Sequence, residues 1–260
     1  MCRVCLSGLG SSLCRAIAAA LVSRQTEFRL VAASSGSLAG RVLNYYVPEA
    51  SALMIHASVF DALKDANERS DVLIEFGEPS RVKCNAFAAI ERGCAVIIGT
   101  TRVPATDLDV IAEAATRSGT PLLVAPNLSL TFAALQFAAR TIAQWVPPPR
   151  IQDFAAVGTP APLQTSEKLR HALADERSGA LPPIESVRRV DGAYSKVSVE
   201  WDCLDEMLTF THSATSPKAY VAGSLLAAQV LTRCGGVHLG LDELLRETRY
   251  SVPVAASGRN

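Results

Sequence analysis

Residues 8–14 read GLGSSLC, directly after the short apolar run RVCLS (3–7) and directly before an Ala/Leu-rich stretch. A strand, a glycine turn and a helix in that order can hold a dinucleotide pyrophosphate. The glycines let the backbone approach, and the helix N-terminus offers N–H groups and positive dipole. The candidate cofactor residues are Gly8, Leu9, Gly10, Ser11, Ser12 and Leu13. Leu13 occupies the third glycine of the strict G-x-G-x-x-G pattern, so a plain strand-to-helix turn stays open as the alternative. A ribose-binding acid is expected about 20 residues further on. Ser34 or Ser35 stands there instead, followed by Gly36. With no carboxylate at that place a 2′-phosphate meets no repulsion. Arg41 is then a helper for NADP, or simply a solvated loop arginine.

Three more loops follow apolar runs: FGEP (76–79), GTTR (99–102) and APNLS (125–129). In a doubly wound sheet such strand ends form the ligand crevice. They nominate Phe76, Gly99, Thr100, Thr101, Ala125, Pro126, Asn127 and Leu128, with Ser35, for the cofactor, and Arg102 and Asn127 for the substrate. Arg102 can hold an anionic substrate, pair with Glu78, or only fill the crevice. The stretch AAVGTPAPLQTSE (155–167) is the opposite case: it has no histidine and no charge before Glu167, so it cannot move a proton. Lys168 and His171 follow at i, i+3 spacing and share a helix face, as an acid and anchor or as a solvated face. Thr159 is a possible hydroxyl donor or a turn residue. His212 reads as structural, near a domain junction; His56 and His238 carry no signal. Seven scattered cysteines read as reduced thiols, with Cys2 and Cys5 as strand residues rather than a metal or redox pair. No metal site is expected.

Near-continuous apolar runs at 3–7, 28–34, 70–76, 94–101 and 120–127 alternate with helical stretches reaching Arg24 and covering 80–92 and 106–118. That pattern predicts a parallel sheet covered on both faces. A helix over 128–146 stops at Pro147–Pro149. Beyond it, strands at 150–157, 185–190, 195–201 and 206–213 suggest a second, antiparallel sheet, the last three linked by short turns. A helix over 217–233 and a glycine-then-helix segment at 234–247 close the chain, before a loose tail SVPVAASGRN.

Taken together these motifs resemble the dihydrodipicolinate reductase family, from Val4 to about Leu245. DVLIEFGEP looks like its D-V-x-I-D-F-T-x-P. VIIGTT matches V-x-G-T-T-G until Arg102 replaces the last glycine. APNLS is similar to S-P-N-F-S, ESVRR to the V-R-x-G strand, LTFTHSATSPKAYVAGSLLAAQVL to the H-x-A-x-S-R helix lead-in, and GVHLGLDELL to the closing G-x-(Y/F)-x-M-x-D-(V/L)-L. Besides Arg102, the chain departs from the family at four places. The G-x-x-G-R-M-G turn keeps Gly8 alone, Lys196 stands for a histidine, and Pro217 stands for an arginine. AAVGTPAPLQTSE stands where the family carries E-x-H-H-x-x-K-x-D-x-P-S-G-T-A, whose histidine and lysine supply a proton and grip one carboxylate and whose Ser-Gly-Thr grips another.

The expected fold is therefore α/β: a doubly wound Rossmann-type nucleotide-binding domain (1–126 plus 223–260) and a second α+β domain on a mixed or antiparallel sheet (127–222). The resemblance implies NADPH or NADH, a small-molecule substrate and a homo-oligomer, a tetramer or dimer built through the second sheet. Lys+Arg and Asp+Glu are 25 each, so nothing argues for nucleic acid or an anionic membrane. No apolar run reaches a membrane span, and the start is not a secretory signal, so a cytoplasmic setting is expected. Three functions fit: a divergent NAD(P)H-dependent reductase of a small anionic cyclic imine or enamine, an authentic 4-hydroxy-tetrahydrodipicolinate reductase of lysine biosynthesis, or a non-redox binding or assembly protein on the same fold.

Overall fold

The structure is a computed structural model that describes residues 1–174, 179–189 and 195–248. The tail at 251–260 and most of the turn in VRRVDGAYSK lie outside the described residues. In the first half β1 (Cys2–Ser7), β2 (Phe28–Ser34), β3 (Ile55–His56), β4 (Val72–Glu75), β5 (Ala95–Ile98) and β6 (Leu122–Val124) alternate with α1 (Ser12–Ser23), α2 (Val59–Asp65), α3 (Pro79–Ile90) and α4 (Ala105–Ser118). Val4, Leu6, Leu73, Ile74, Val96 and Ile97 are fully buried. Apolar side chains on both faces of each strand leave no side for water, and helices cover both.

After α5 (Leu130–Ala143) come β7 (Arg150–Ala156), α6 (Gln164–Ala172), β8 (Ile184–Arg189), β9 (Ser195–Cys203) and β10 (Glu206–Ala214). A 3-10 turn at Pro217–Tyr220 leads into α7 (Val221–Cys234), then β11 (Val237–His238) and α8 (Leu241–Thr248). The first sheet has seven parallel strands in the order β11-β6-β5-β4-β1-β2-β3. Its order reverses between β1 and β4, and a ligand crevice forms outside the strand ends at such a point. α7 packs back onto this sheet, and Gly223 lets its backbone close on the APNLS loop: a Cβ there would drive into the Leu128 carbonyl. Among the described residues no helix is long and apolar enough to cross a membrane.

Several elements differ from expectation. β3 and α2 fill the stretch 35–69, and β11 precedes α8; these pieces are too short to leave a period in the sequence. The helix expected at 217–233 begins as a 3-10 turn on Pro217. The second sheet is mixed, one of the two expected arrangements, in the order β10-β9-β7-β8; only the place of β8 differs. β8 does not pair with β9, its neighbour in sequence. It lies parallel to β7 on the far edge, because α6 supplies the long crossover that parallel pairing requires.

One face of this sheet carries Ile151, Val197, Val199 and Trp201 against Phe132, Leu135 and Leu169 of α5 and α6. β7 and β8 are also joined by an ion pair. Arg188 Nη1 donates to Asp153 Oδ1 at 2.7 Å. The same guanidinium donates to the carbonyls of Thr159 (2.9 Å) and Pro160 (2.8 Å), while Asp153 Oδ2 accepts from the Leu163 N–H at 2.6 Å. The loop leaving β7 is thus fastened at its tip and at its far end by one pair. Asp153 is fully buried, so removing its partner leaves a carboxylate without compensation. Arg188→Met is expected to cost about 3–5 kcal/mol, read from the denaturant midpoint, and to speed amide exchange at Leu163. A midpoint close to wild type would show that the pair does not hold the loop.

Candidate active site

β-Sheet register brings Ser34, Ser7 and Glu75 to one level at the point of reversal. The turn after β1 is shaped by Gly8, at φ 98°, where a Cβ would stand 2.6 Å from the Phe76 carbonyl. The Gly8 N–H donates to the Ser34 carbonyl at 3.0 Å, tying the turn to the end of β2. Ser11 caps α1, its hydroxyl accepting from the Cys14 N–H at 3.1 Å. The N–H groups of Ser12 and Leu13, in the first turn, have no intrahelical acceptor and remain available to a ligand. A cleft of about 340 Å³ opens here, lined by Gly8, Gly10 and Ser11, by residues 34–37 and by Phe76–Pro79 and Arg81.

At the floor of the cleft lies Glu75, fully buried at the end of β4. Oε1 accepts from the Ser7 hydroxyl at 3.0 Å and from the Gly77 N–H; Oε2 accepts from Asn85 Nδ2 at 2.8 Å. Burial pushes this carboxyl above the ordinary glutamate range, and the three donors restrain the shift. The Glu75 carbonyl accepts from the Gly99 N–H (2.9 Å) and the Thr100 hydroxyl (3.2 Å), so the loop after β5 hangs on the same residue.

Further along the strand ends, Asn127 Oδ1 accepts from the Ser129 N–H at 2.9 Å. Ser129 caps α5 and meets His212 Nε2 at 3.1 Å. His212 is buried against the edge of Phe132, and desolvation lowers its pKa. Arg102 takes φ 61°, a left-handed backbone that suits glycine. Its N–H donates to Gln164 Oε1 at 2.7 Å, the contact by which the loop after β5 meets the start of α6. Its side chain is exposed, and the guanidinium makes no hydrogen bond or ion pair to the described residues, so it is not paired with Glu78.

Of the sequence candidates, Gly8, Gly10, Ser11, Ser35 and Phe76 line the cleft. Leu9, Ala125 and Leu128 have their side chains in the core and can meet a ligand only through backbone. Ser12 and Thr101 are exposed, Leu13 packs partly on the core, Gly99 is buried, and Pro126 is half-buried beside the buried Asn127. Arg41 is exposed and does not line the cleft; Arg81 does. Thr159 is half-buried, with its carbonyl on Arg188. Lys168 and His171 both fall on α6 but are not alike: Lys168 is half-buried, with desolvation lowering its pKa, while His171 is exposed. Glu75, Asn85, Gln164 and Arg188 were not nominated from sequence. Glu75 did leave a signal, a lone carboxylate inside the apolar run VLIEF; the others act through contacts across the fold. Cys2 and Cys5 lie on β1, and burial pushes the Cys2 thiol up to about 11 and raises Cys5 well above its usual value, against nucleophilic use.

Residues 2–128 match the family model described as dihydrodipicolinate reductase, N-terminus. A 4-hydroxy-tetrahydrodipicolinate reductase of Desulfitobacterium hafniense is 23% identical over 94% of this chain and 98% of its own length. The reductase of Moorella thermoacetica is 27% identical over 69% of this chain and 74% of its own. Among solved structures, the dipicolinate-bound dihydrodipicolinate reductase of Paenisporosarcina sp. TG-14 superposes with a TM-score of 0.76, at 18% identity, covering 93% of this chain and 98% of that one. The fold extends to more distant dehydrogenases, such as an amine dehydrogenase of Mycobacterium smegmatis, with a TM-score of 0.65, 10% identity, and coverage of 93% and 95%. The family model over residues 2–128, the relatives and the architecture agree in making this chain similar to the dihydrodipicolinate reductases along most of its length.

Proposed function

We propose that this protein is a nicotinamide-dinucleotide-dependent reductase that keeps the family's cofactor half and has changed its substrate half. One contrast carries the reading. The glycine- and serine-lined cleft at the sheet reversal is intact, while residues 155–163 hold no proton-moving side chain and are fastened to Arg188. A bound reduced nicotinamide supplies hydride; the protein must position the substrate and handle a proton. The turn 8–13 and the first N–H groups of α1 suit a pyrophosphate. Gly99, Thr100 and residues 125–127 border the nicotinamide end of the crevice.

The substrate on this reading is a small anion. Arg102 leaves its guanidinium unpaired beside the start of α6. α6 begins at Gln164 without a side-chain cap, so its first N–H groups add positive potential there. The dipicolinate in the Paenisporosarcina structure is a dicarboxylate, which agrees with a crevice of this sign. Lys168 of α6, whose pKa desolvation lowers, is the candidate proton donor on this reading.

The reading is tested by titrating the purified chain with NADPH and NADH by fluorescence, where binding is expected. The gene is then placed in a strain lacking 4-hydroxy-tetrahydrodipicolinate reductase, where no rescue is expected, since loss of a proton donor alone costs about 10²–10⁴ in rate. Growth at a normal rate without lysine would make it an authentic enzyme of that pathway; no binding of either cofactor would favour the non-redox reading. Arg102→Gly should act in two directions. Relief of the left-handed backbone should raise stability by about 1 kcal/mol, while affinity for an anionic substrate should fall by about 1.5–3 kcal/mol. Unchanged substrate affinity would remove Arg102 from the site. A Lys168 donor must carry its proton, and its lowered pKa means that it loses it earlier than an ordinary lysine. The rate should therefore fall as pH rises through a point below 10.5. Lys168→Met should abolish that alkaline limb and lower kcat by about 10²-fold or more; an unchanged limb would point to another acid.

A further inference from the structure

We infer that Arg81 makes the cleft selective for a dinucleotide bearing a phosphomonoester on its adenosine ribose. This rests on the dinucleotide reading above and deepens it. The end of β2, where a ribose-binding carboxylate would exclude such a phosphate, carries Ser34, Ser35, Gly36 and Ser37. The Ser35 and Ser37 hydroxyls stand 3.3 Å apart, and both residues line the cleft. Facing them is a cation from a different element. Arg81, in the first turn of α3, brings Nη1 to 3.7 Å from where a Cβ on Gly36 would stand. Its guanidinium has no hydrogen bond or ion pair to the described residues.

The side chain of Arg81 is exposed, and its backbone is set by the helix beneath it. Asn85 lies one helical turn further along α3, on the same face. It is buried and donates to Glu75, so the face that holds the cleft floor also holds Arg81 over the serines. Among the described residues, Arg81 and Glu78 are the only charged side chains lining the cleft, with the buried Glu75 beneath it. Glu78 forms no ion pair with Arg81 among the described residues, so the guanidinium stays free for an outside anion. A phosphate there meets a planar fork that can donate two parallel hydrogen bonds, with serine hydroxyls on its other side. A plain ribose hydroxyl finds neither the charge nor the carboxylate it needs.

The test is binding, not turnover. NADPH, NADH and the fragment 2′,5′-ADP are titrated by calorimetry into wild type, Arg81→Ala and Arg81→Lys, with thermal melts to confirm that each variant is folded. Wild type should bind NADPH and 2′,5′-ADP more tightly than NADH binds. Arg81→Ala should weaken NADPH and 2′,5′-ADP by about 10–100-fold and leave NADH unchanged. Arg81→Lys should recover part of the loss, keeping the charge without the fork. The inference is overturned if NADPH affinity survives Arg81→Ala, or if NADH weakens equally, which would make Arg81 a structural residue of the cleft. Strong NADH binding with no preference for NADPH in wild type would overturn this inference while leaving the dinucleotide reading intact. No binding of any of the three to wild type would sink both.

Discussion

The carboxylate of Glu75 is withdrawn from water at the level where the sheet order reverses. It can stay there because donors from three segments meet it: the Ser7 hydroxyl at the end of β1, the Gly77 N–H in the loop after β4, and Asn85 on α3. A buried carboxylate without partners is strongly unfavourable, so each donor is held where the carboxylate needs it. Through its carbonyl the same residue also holds the Gly99–Thr100 loop. The glycine turn, the FGEP loop, the first turn of α3 and the loop after β5 therefore take their mutual positions from one side chain and its backbone. The cleft above them is an arrangement of backbone and small hydroxyls that this buried charge keeps in register.

The parts of the fold legible in the sequence are those where burial is two-sided. Val4–Leu6, Leu73–Ile74 and Val96–Ile98 lie in a parallel sheet covered by helices, so each strand reads as an unbroken apolar run. Two-residue strands such as Ile55–His56 and Val237–His238 leave no such record. They exist because neighbouring strands offer them an edge. The place of β8 was not legible either: nearness in sequence to β9 suggested a hairpin, whereas α6 returns the chain to the other side of β7. The glycine turn could be read because its function is a backbone property that only certain residues permit. Arg81, Gln164 and Arg188 could not, because an exposed arginine or glutamine looks the same in sequence whether it faces solvent, a cleft or a loop carbonyl.

The neutral loop after β7 follows from the same distinction between side-chain chemistry and scaffold. Residues 155–163 lack groups that titrate, yet the loop is not left to itself. Arg188 takes the Thr159 and Pro160 carbonyls, and Asp153 takes the Leu163 N–H. Both partners belong to strands of the second sheet, and Arg188 sits in the segment that resembles the family's V-R-x-G. On the reading proposed above, the pair supports a substrate loop that has no proton-moving side chain. That pattern separates two kinds of change. Loss of the whole site would free Arg188 and Asp153 from their roles, and a buried, unpaired Asp153 would then be costly enough to be replaced as well. The pair therefore fits the proposed reading, in which the loop borders a substrate.

Electrostatics connects the two ends of the crevice. Positive and negative side chains balance over the whole chain, 25 against 25, so no general field draws anions to the protein. Selection for an anionic ligand must then come from individual charges placed at the crevice. Two arginines without partners among the described residues meet that condition, Arg81 at the end of β2 and Arg102 at the meeting of the β5 loop with α6. On the reading proposed above, they stand at opposite ends of one bound dinucleotide, one facing the adenosine phosphate and the other the substrate. Each is held by its backbone or helix rather than by a salt bridge: Arg81 through the face of α3 that Asn85 anchors, Arg102 through an N–H bonded to Gln164. A guanidinium already engaged with a carboxylate would have to be released before it could bind a ligand. These two are free of that cost, and their specificity comes from placement.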